Sequence, residues 1–268
     1  MKKILVFFAV LIIISACNGA NSNNSNGEND SIGSLDSFAV EKNFEELSFD
    51  SVHWIDSVVL DSNSKVLVEY NFSYPKTGIQ ELKDSINTWI CMLYGDSTLQ
   101  YLNDIPSYVS KIAKSKLKYM TDDAKMEYED RLLSDWHVNR EENCNIGVLY
   151  EDSDYITMQD ESYEYYGGAH GMYGTEAVTF SKKDGHRLGW ELLKDMPEKE
   201  ILKEIRKQLP EYLGISPSEL DEHLLVTEIE LPATPPYLTK EGVTLIYQLY
   251  EITPYCDGTP IIIIKRQK

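Results

Sequence analysis

The residues with the most unusual types and spacing lie between Tyr163 and Gly171, where three tyrosines precede paired glycines and a histidine. Imidazole titrates near neutral pH, so His170 could act as a general base or bind a ligand together with His186. General base catalysis also needs a nucleophile or an acid partner, and none is specified nearby. Glycine permits positive φ and close backbone approach, so we favour a bulge or sharp corner with His170 hydrogen-bonded inward.

Tyrosines are concentrated in the β-rich stretch around this segment. Their rigid, amphipathic rings are enriched at binding interfaces, although tyrosine also has a high strand propensity. Alternation along a strand would bury some of the rings and expose others. The candidate binding residues are Tyr163, Tyr165, Tyr166, His170, Tyr173 and Tyr255. The residues expected to shape the backbone are Gly167, Gly168, Gly171, Pro254 and Gly258.

No complete catalytic or metal-binding motif is present in the sequence. None of the five histidines forms HExxH or another metal-spaced pair, and the nucleophile-elbow, phosphate-loop and dinucleotide motifs are absent. We therefore predict no catalytic residue, no metal and no cofactor. Acidic pairs such as Asp122–Asp123 and Glu141–Glu142 are interpreted as a solvated face. A hydrolase that uses carboxylates and His170 stays open as the alternative, because sequence cannot show carboxylate separations.

Three cysteines follow residue 17, and an odd number permits one disulfide and one free thiol. Cys91 lies among apolar residues at helical spacing and is predicted to belong to the core. Cys144 and Cys256 are the more plausible pair for a disulfide.

The first 16 residues have the pattern of an export signal. Two lysines precede an apolar run from Ile4 to Ile14, which is too short to span a bilayer comfortably. The residues Ile14-Ser15-Ala16-Cys17 resemble a bacterial lipobox, so residues 1–16 are predicted to be a lipoprotein signal peptide and Cys17 to be lipidated. Acyl chains would then hold the protein to a membrane. Residues 17–36 are predicted to be a disordered tether after the lipid.

The formal net charge of the chain is −19, which argues against binding to nucleic acid or anionic lipid. Such a charge favours a basic partner, although solubility alone also accounts for it. No acidic residue directly follows Cys17, so a location in the cell envelope, on the periplasmic face of the outer membrane, is preferred.

The remaining residues predict an α+β fold with antiparallel sheets packed against helices. Residues 37–140 are predicted to be an N-terminal subdomain with a hairpin and helices, and residues 141–268 a mixed C-terminal subdomain. Alternation from Val66 to Tyr74 indicates a hairpin strand that ends at Pro75. A helical stretch from Leu99 to Met120 is interrupted at Pro106, and Thr121 caps a further helix.

Two segments resemble signature motifs of a domain family of largely unknown function. They are Tyr165-Tyr166-Gly167-Gly168-Ala169-His170-Gly171 and Tyr250-Glu251-Ile252-Thr253-Pro254-Tyr255-Cys256-Asp257-Gly258. The family includes ectodomains of lysozyme-sensing anti-sigma factors and the non-catalytic N-terminal region of certain peptidoglycan deacetylases. Gly171 departs from the pattern, because many members have proline there. The resemblance implies an α+β module outside the cytoplasm with no catalytic residues.

The same resemblance implies recognition of a cell-wall hydrolase such as lysozyme, or of the wall glycan itself. Lysozymes are typically basic, so an acidic chain would attract them. We therefore expect a lipid-anchored, non-catalytic binding module of the cell envelope.

Overall fold

The computed structural model describes residues 46–95, 98–130 and 137–265, and these fall within one compact unit. The signal peptide, Cys17 and the tether predicted for residues 1–36 lie outside the described residues. Within the part that is described, no helix combines the length and apolar character needed to cross a membrane.

The described residues form nine strands and four helices, with two short 3-10 turns at Trp190–Leu193 and Tyr255–Asp257. The strands are β1 (Ser48–Val59), β2 (Lys65–Thr77), β3 (Arg140–Glu151), β4 (Tyr155–Tyr165), β5 (Met172–Ser181), β6 (Arg187–Leu188), β7 (Tyr237–Leu238), β8 (Val243–Ile246) and β9 (Ile261–Ile264). The helices are α1 (Gln80–Leu93), α2 (Ile105–Asp130), α3 (Glu198–Leu213) and α4 (Leu220–His223). The predicted α+β class is confirmed.

The larger sheet has six strands in the order β1-β2-β3-β4-β5-β6. All neighbouring pairs are antiparallel except β2 and β3, which run parallel from Val66 opposite Arg140 to Phe72 opposite Ile146. A sheet that is entirely antiparallel was therefore the wrong expectation. Both helices α1 and α2 lie between these two strands in the chain, and parallel neighbours need a crossover of this kind.

The first hydrophobic core lies between this sheet and helices α1 and α2. The alternation predicted for β2 is confirmed, because Val66, Val68, Tyr70 and Phe72 are all buried. Cys91 on α1 is also buried, as predicted. The strand continues through Pro75 to Thr77, however, so Pro75 does not end it. Pro75 lies beyond Phe72, where the pairing of β2 with β3 ends, so it has a strand neighbour on one side only and interrupts few ladder bonds.

Helix α2 differs from its prediction in two places. Pro106 does not interrupt the helix but lies in its first turn, where a missing N–H has no intrahelical partner to lose. Thr121 does not begin a new helix, because α2 continues through it to Asp130. Its side chain is buried within the helix packing instead.

A second core joins α3 to the small antiparallel sheet β7-β8-β9. Ile201, Ile205 and Leu209 recur at helical spacing along α3 and form its buried stripe. The division predicted between residues 140 and 141 stays a prediction. Strand β2, which precedes this position, pairs with β3, most of which follows it.

Candidate functional site

The glycine-rich segment connects β4 to β5 at the end of the large sheet. Tyr163 pairs with Tyr173 in the last part of the hairpin. Gly167 and Gly168 then take φ values of 94° and 90°, which favour glycine. The Tyr165 hydroxyl donates a hydrogen bond of 3.1 Å to the Gly168 carbonyl and holds the turn. The sharp corner predicted from the paired glycines is therefore formed.

Gly171 is the point of closest packing in this segment. A β-carbon built there would lie 2.4 Å from a ring carbon of Tyr163 and 2.6 Å from its hydroxyl oxygen. The absence of a side chain at Gly171 thus lets the Tyr163 ring lie against the backbone.

The two sequence motifs meet at His170 and Tyr255. Their rings are stacked, with centroids 3.8 Å apart and planes 21° apart. The Tyr255 hydroxyl donates a hydrogen bond of 2.9 Å to the Gly171 carbonyl oxygen, and His170 Nδ1 lies 3.0 Å from the same oxygen. His170 is exposed, so the inward orientation that we predicted for it is wrong.

Two more tyrosines surround this stack. The Tyr173 and Tyr250 ring centroids each lie 5.9 Å from that of Tyr255, and these two side chains are 36% and 47% exposed. We call His170, Tyr173, Tyr250 and Tyr255 the aromatic surface. Tyr250 has a φ of 64°, which is uncommon outside glycine.

The second motif is held in place by a 3-10 turn that follows Pro254. Gly258 leaves this turn with a φ of 73°, and a β-carbon there would lie 3.1 Å from the Tyr173 hydroxyl. The Asp257 carboxylate lies 2.9 Å from His223 Nε2. The backbone carbonyl oxygen of Asp257 accepts a hydrogen bond from the Tyr212 hydroxyl. The Asp257 contacts connect the turn that carries Tyr255 to α3 and α4.

The six candidate residues therefore do not form one site, and Tyr163 packs against the Gly171 backbone. His170, Tyr173 and Tyr255 share the aromatic surface, whereas Tyr165 serves the turn. The Tyr166 ring lies beside the Arg140 guanidinium, 5.9 Å from its centre. Tyr250 was missed, although it begins the second motif, because strand alternation says nothing about a residue with positive φ.

The disulfide predicted between Cys144 and Cys256 is not formed. Cys144 is a buried thiol on β3, and Cys256 is an exposed thiol in the 3-10 turn. Burial raises the Cys144 pKa to about 12, so this side chain stays a neutral thiol at physiological pH.

A cavity of about 520 Å³ lies on the other face of the β4–β5 hairpin. Side chains alternate between the faces of a strand, so Asp160, Ser162 and Glu164 point opposite to Tyr163. The cavity is lined by Leu93, Tyr94, Lys116, Glu142, Cys144, Asp160, Ser162, Glu164, Gly174, Thr175, Glu176, Thr234 and Gln248. We call it the acidic cavity, because four of these side chains are carboxylates and one is a lysine.

Two of the carboxylates in the acidic cavity are deeply buried. Glu142 is 2% exposed, which corrects its interpretation as part of a solvated face. Its carboxylate accepts a hydrogen bond from Tyr70 and contacts the Lys116 ammonium. Burial raises the Glu142 pKa, and hydrogen bonds from Lys116 and Tyr70 oppose that shift.

Asp160 is the second buried carboxylate, with 7% exposure. The Tyr94 hydroxyl donates a hydrogen bond of 2.7 Å to its Oδ1. Burial raises the pKa of Asp160 to about 6, and nearby carboxylates such as Glu176 and Glu161 add to the effect. Sequence alone could not separate this residue from the many exposed acids, because the hairpin register decides which acids face inward.

Metal binding is not indicated in the part of the chain that the structure describes. No group of three or more histidine, cysteine, aspartate or glutamate side chains is placed there to hold an ion. His170 and His186 are not brought together as ligands, since His186 Nε2 lies 3.0 Å from Glu191 instead.

Comparisons with known proteins find a family model that is similar to the C-terminal part of the chain. Residues 191–267 match the family model described as "Protein of unknown function (DUF3298)". This segment contains α3, the small sheet and the motif from Tyr250 to Gly258, and it excludes the β4–β5 hairpin. No curated protein matches the chain.

Two crystal structures of DUF3298 family proteins have a similar fold. The one from Bacteroides fragilis is 24% identical, covers 84% of this chain and 92% of its own, and has a TM-score of 0.69. The one from Pseudomonas aeruginosa is 16% identical, covers 82% and 91%, and has a TM-score of 0.51. The chain therefore has a fold similar to that of these two structures, and its residues 191–267 match the DUF3298 model.

Proposed function

We propose that this protein is a non-catalytic binding module of the cell envelope, anchored through lipid on Cys17. The observation that carries the proposal is the exposed aromatic surface, to which both sequence motifs contribute. Its four rings come from two segments of the chain that are about 80 residues apart, yet they lie within one contact network.

The aromatic surface has physical properties that suit binding. Tyrosine rings offer a large contact area and lose little side-chain entropy on association. The Tyr255 hydroxyl is hydrogen-bonded to Gly171, and its ring is stacked on His170, so its orientation is fixed before a partner arrives. Such pre-organisation reduces the entropic cost of binding.

The partner that we propose is a basic cell-wall hydrolase of the lysozyme type. The formal charge of −19 would steer a basic protein toward the chain and accelerate their encounter. Wall glycan is the other candidate, because aromatic faces also stack on sugar rings. The resemblance of the two motifs to lysozyme-sensing ectodomains supports the first choice.

Calorimetry with the mature chain distinguishes these partners. Lysozyme and soluble peptidoglycan fragments are titrated at low salt and at about 0.5 M salt, where only close charges still interact. We expect lysozyme to bind, with an affinity that falls as salt rises. Tyr255→Ala should weaken binding about tenfold or more, as is usual for a central aromatic contact.

Tyr119→Ala is the matched control, since Tyr119 is 63% exposed on α2 and lies outside the aromatic surface. It should leave affinity unchanged. If neither lysozyme nor the fragments bind at either salt concentration, the proposal fails for both partners. Fragments that bind while lysozyme does not would move the proposal to glycan recognition.

The hydrolase alternative has one observation in its favour, which is the acidic cavity with its two buried carboxylates. His170, the other residue assigned to that alternative, does not line the cavity. Release of soluble fragments from peptidoglycan in the same mixtures, abolished by Asp160→Asn, would favour the hydrolase over the binding module.

A further inference from the structure

The acidic cavity has an unbalanced charge in its walls. Glu142, Asp160, Glu164 and Glu176 line it together with Lys116 as the single basic residue. The Lys116 ammonium is already shared, because it contacts the Glu142 carboxylate and lies 3.0 Å from Glu164 Oε1. Because Lys116 already pairs with two carboxylates, it contributes little to neutralising the negative charge of Asp160.

Asp160 has a hydrogen-bond partner but no basic side chain paired with it among the described residues. Within the described residues, its Oδ1 accepts one hydrogen bond from Tyr94, and no basic side chain pairs with Oδ2. A carboxylate can accept about four hydrogen bonds, and burying a charge without a counter-charge is costly. With 7% exposure Asp160 has little access to bulk water, and its side chain faces the cavity.

We propose that the acidic cavity binds an organic cation with a primary ammonium group, which pairs with Asp160. An ammonium group supplies both the missing positive charge and up to three hydrogen-bond donors. The volume of about 520 Å³ is ordinary for small-molecule sites. A metal ion fits less well, since no suitable ligand group is placed in the described part of the chain.

The remaining walls suit the rest of such a molecule. Leu93 and the Tyr94 ring provide apolar contact for an aliphatic chain, and Thr234 and Gln248 offer polar atoms. Gln248 is held in place, because its Nε2 donates a hydrogen bond of 2.7 Å to the Thr175 carbonyl. The strand positions of Asp160 and Glu176, which are directly paired, are fixed by the sheet ladder.

The cation site is separate from the aromatic surface. Tyr163 and Tyr173 project from one face of the hairpin, and Asp160, Ser162 and Gly174 from the other. The inference therefore goes beyond the proposed binding of a wall hydrolase and does not depend on it.

The test measures binding of the probe 1,5-diaminopentane to the mature chain by calorimetry at neutral pH. We expect saturable binding, and we expect no binding of the uncharged analogue 1,5-pentanediol. Asp160→Asn keeps the shape of the side chain and an acceptor for Tyr94, but should weaken diamine binding about tenfold or more. Glu161→Gln removes the same charge from the opposite face of β4 and should change affinity less than about twofold.

A second variant tests the cavity without changing its charge. A β-carbon at Gly174 would lie 3.3 Å from the Ser162 hydroxyl oxygen, so Gly174→Val occupies cavity space. It should also weaken diamine binding about tenfold. Circular dichroism checks that each variant is folded. Tyr255→Ala should leave diamine affinity unchanged, so this proposal and the proposed function can fail separately.

Two results would overturn the cation site. One is the absence of diamine binding to the unaltered chain. The other is equal weakening by Asp160→Asn and Glu161→Gln, which would indicate general attraction to an acidic protein. Displacement of bound diamine by lysozyme, and not by glucosamine, would identify the ammonium source as a lysine side chain of a protein.

Discussion

Asp160 shows what a single buried charge does to the balance between stability and function. Its raised pKa means that the folded chain holds the proton more tightly than the unfolded chain does. Residues that lower stability in this way are often retained where they serve binding or catalysis. The cost should be measurable as a dependence of stability on pH.

We predict that Asp160→Asn stabilises the protein at neutral pH. The unfolded aspartate ionises near pH 4 and the folded one near pH 6, so stability falls as pH rises through this window. Above it, the ionised Asp160 costs about 2 to 3 kcal/mol. Asparagine avoids that cost, so urea unfolding should show a gain of this size at about pH 7.5 and almost none near pH 4.

Glu161→Gln serves as the control for the pH experiment, because Glu161 is exposed on the same strand. It should change stability by less than about 0.5 kcal/mol at either pH. An Asp160→Asn protein that is no more stable than the unaltered chain at about pH 7.5 would contradict the burial argument.

At the residue scale, the sequence identified a site by its unusual residues and missed one made of common residues. The paired glycines and His170 indicated the position of the aromatic surface, because paired glycines allow a sharp corner with positive φ. Glu142 and Asp160 look like any other acid in a chain with 44 acidic residues. Only the strand register turns them toward the helices.

At the element scale, the close approach of strands β8 and β9 depends on a glycine. Gly242 precedes β8 with a φ of 152°, and a β-carbon there would lie 2.4 Å from the Ile264 carbonyl oxygen of β9. Backbone cannot move aside as a flexible side chain can. The pairing of Val243 with Ile264 begins beside this contact.

We predict that Gly242→Ala lowers the free energy of unfolding by about 2 to 4 kcal/mol, since it adds both a clash and a strained φ. Chemical denaturation measures the change. Gly147→Ala on β3 is the control, because a β-carbon at Gly147 meets nothing within 4 Å. Equal stability of the two variants would show that β8 and β9 are not held as closely as the structure indicates.

The element predictions succeeded where a local pattern decides the structure. Alternation in β2 and helical spacing in α3 follow from which face is buried. The interruption predicted at Pro106 and the helix start predicted at Thr121 were wrong, because proline is tolerated in a first helical turn and a buried threonine need not be a cap. The parallel pairing of β2 and β3 was missed because it joins residues that α1 and α2 separate.

At the scale of the whole molecule, the lipid anchor proposed at Cys17 is the feature with the widest consequences. We predict that Cys17→Ser removes acylation and stops processing by a lipoprotein signal peptidase, since the proposed acyl chains are attached through the Cys17 sulfur. Mass spectrometry should show loss of the acyl groups on the N-terminal peptide. Fractionation should show less of the chain retained through lipid.

Cys256→Ser is the matched control, because Cys256 is an exposed thiol elsewhere in the chain. It should leave acylation and fractionation unchanged. Detection of acyl groups on the Cys17→Ser protein would place the lipid on another residue.

The parallel pair of β2 and β3 also affects the order in which the protein can fold. Val66 is paired with Arg140, so the middle of the large sheet forms only after the whole segment between them has been synthesised. Closing a loop of that length before its contacts form slows folding, because chain entropy is lost first. Until β3 arrives, β2 with its buried face presents an open strand edge. A chain that ends within α2 should therefore aggregate, whereas one that reaches the end of β5 contains all the strands that contribute to the first core.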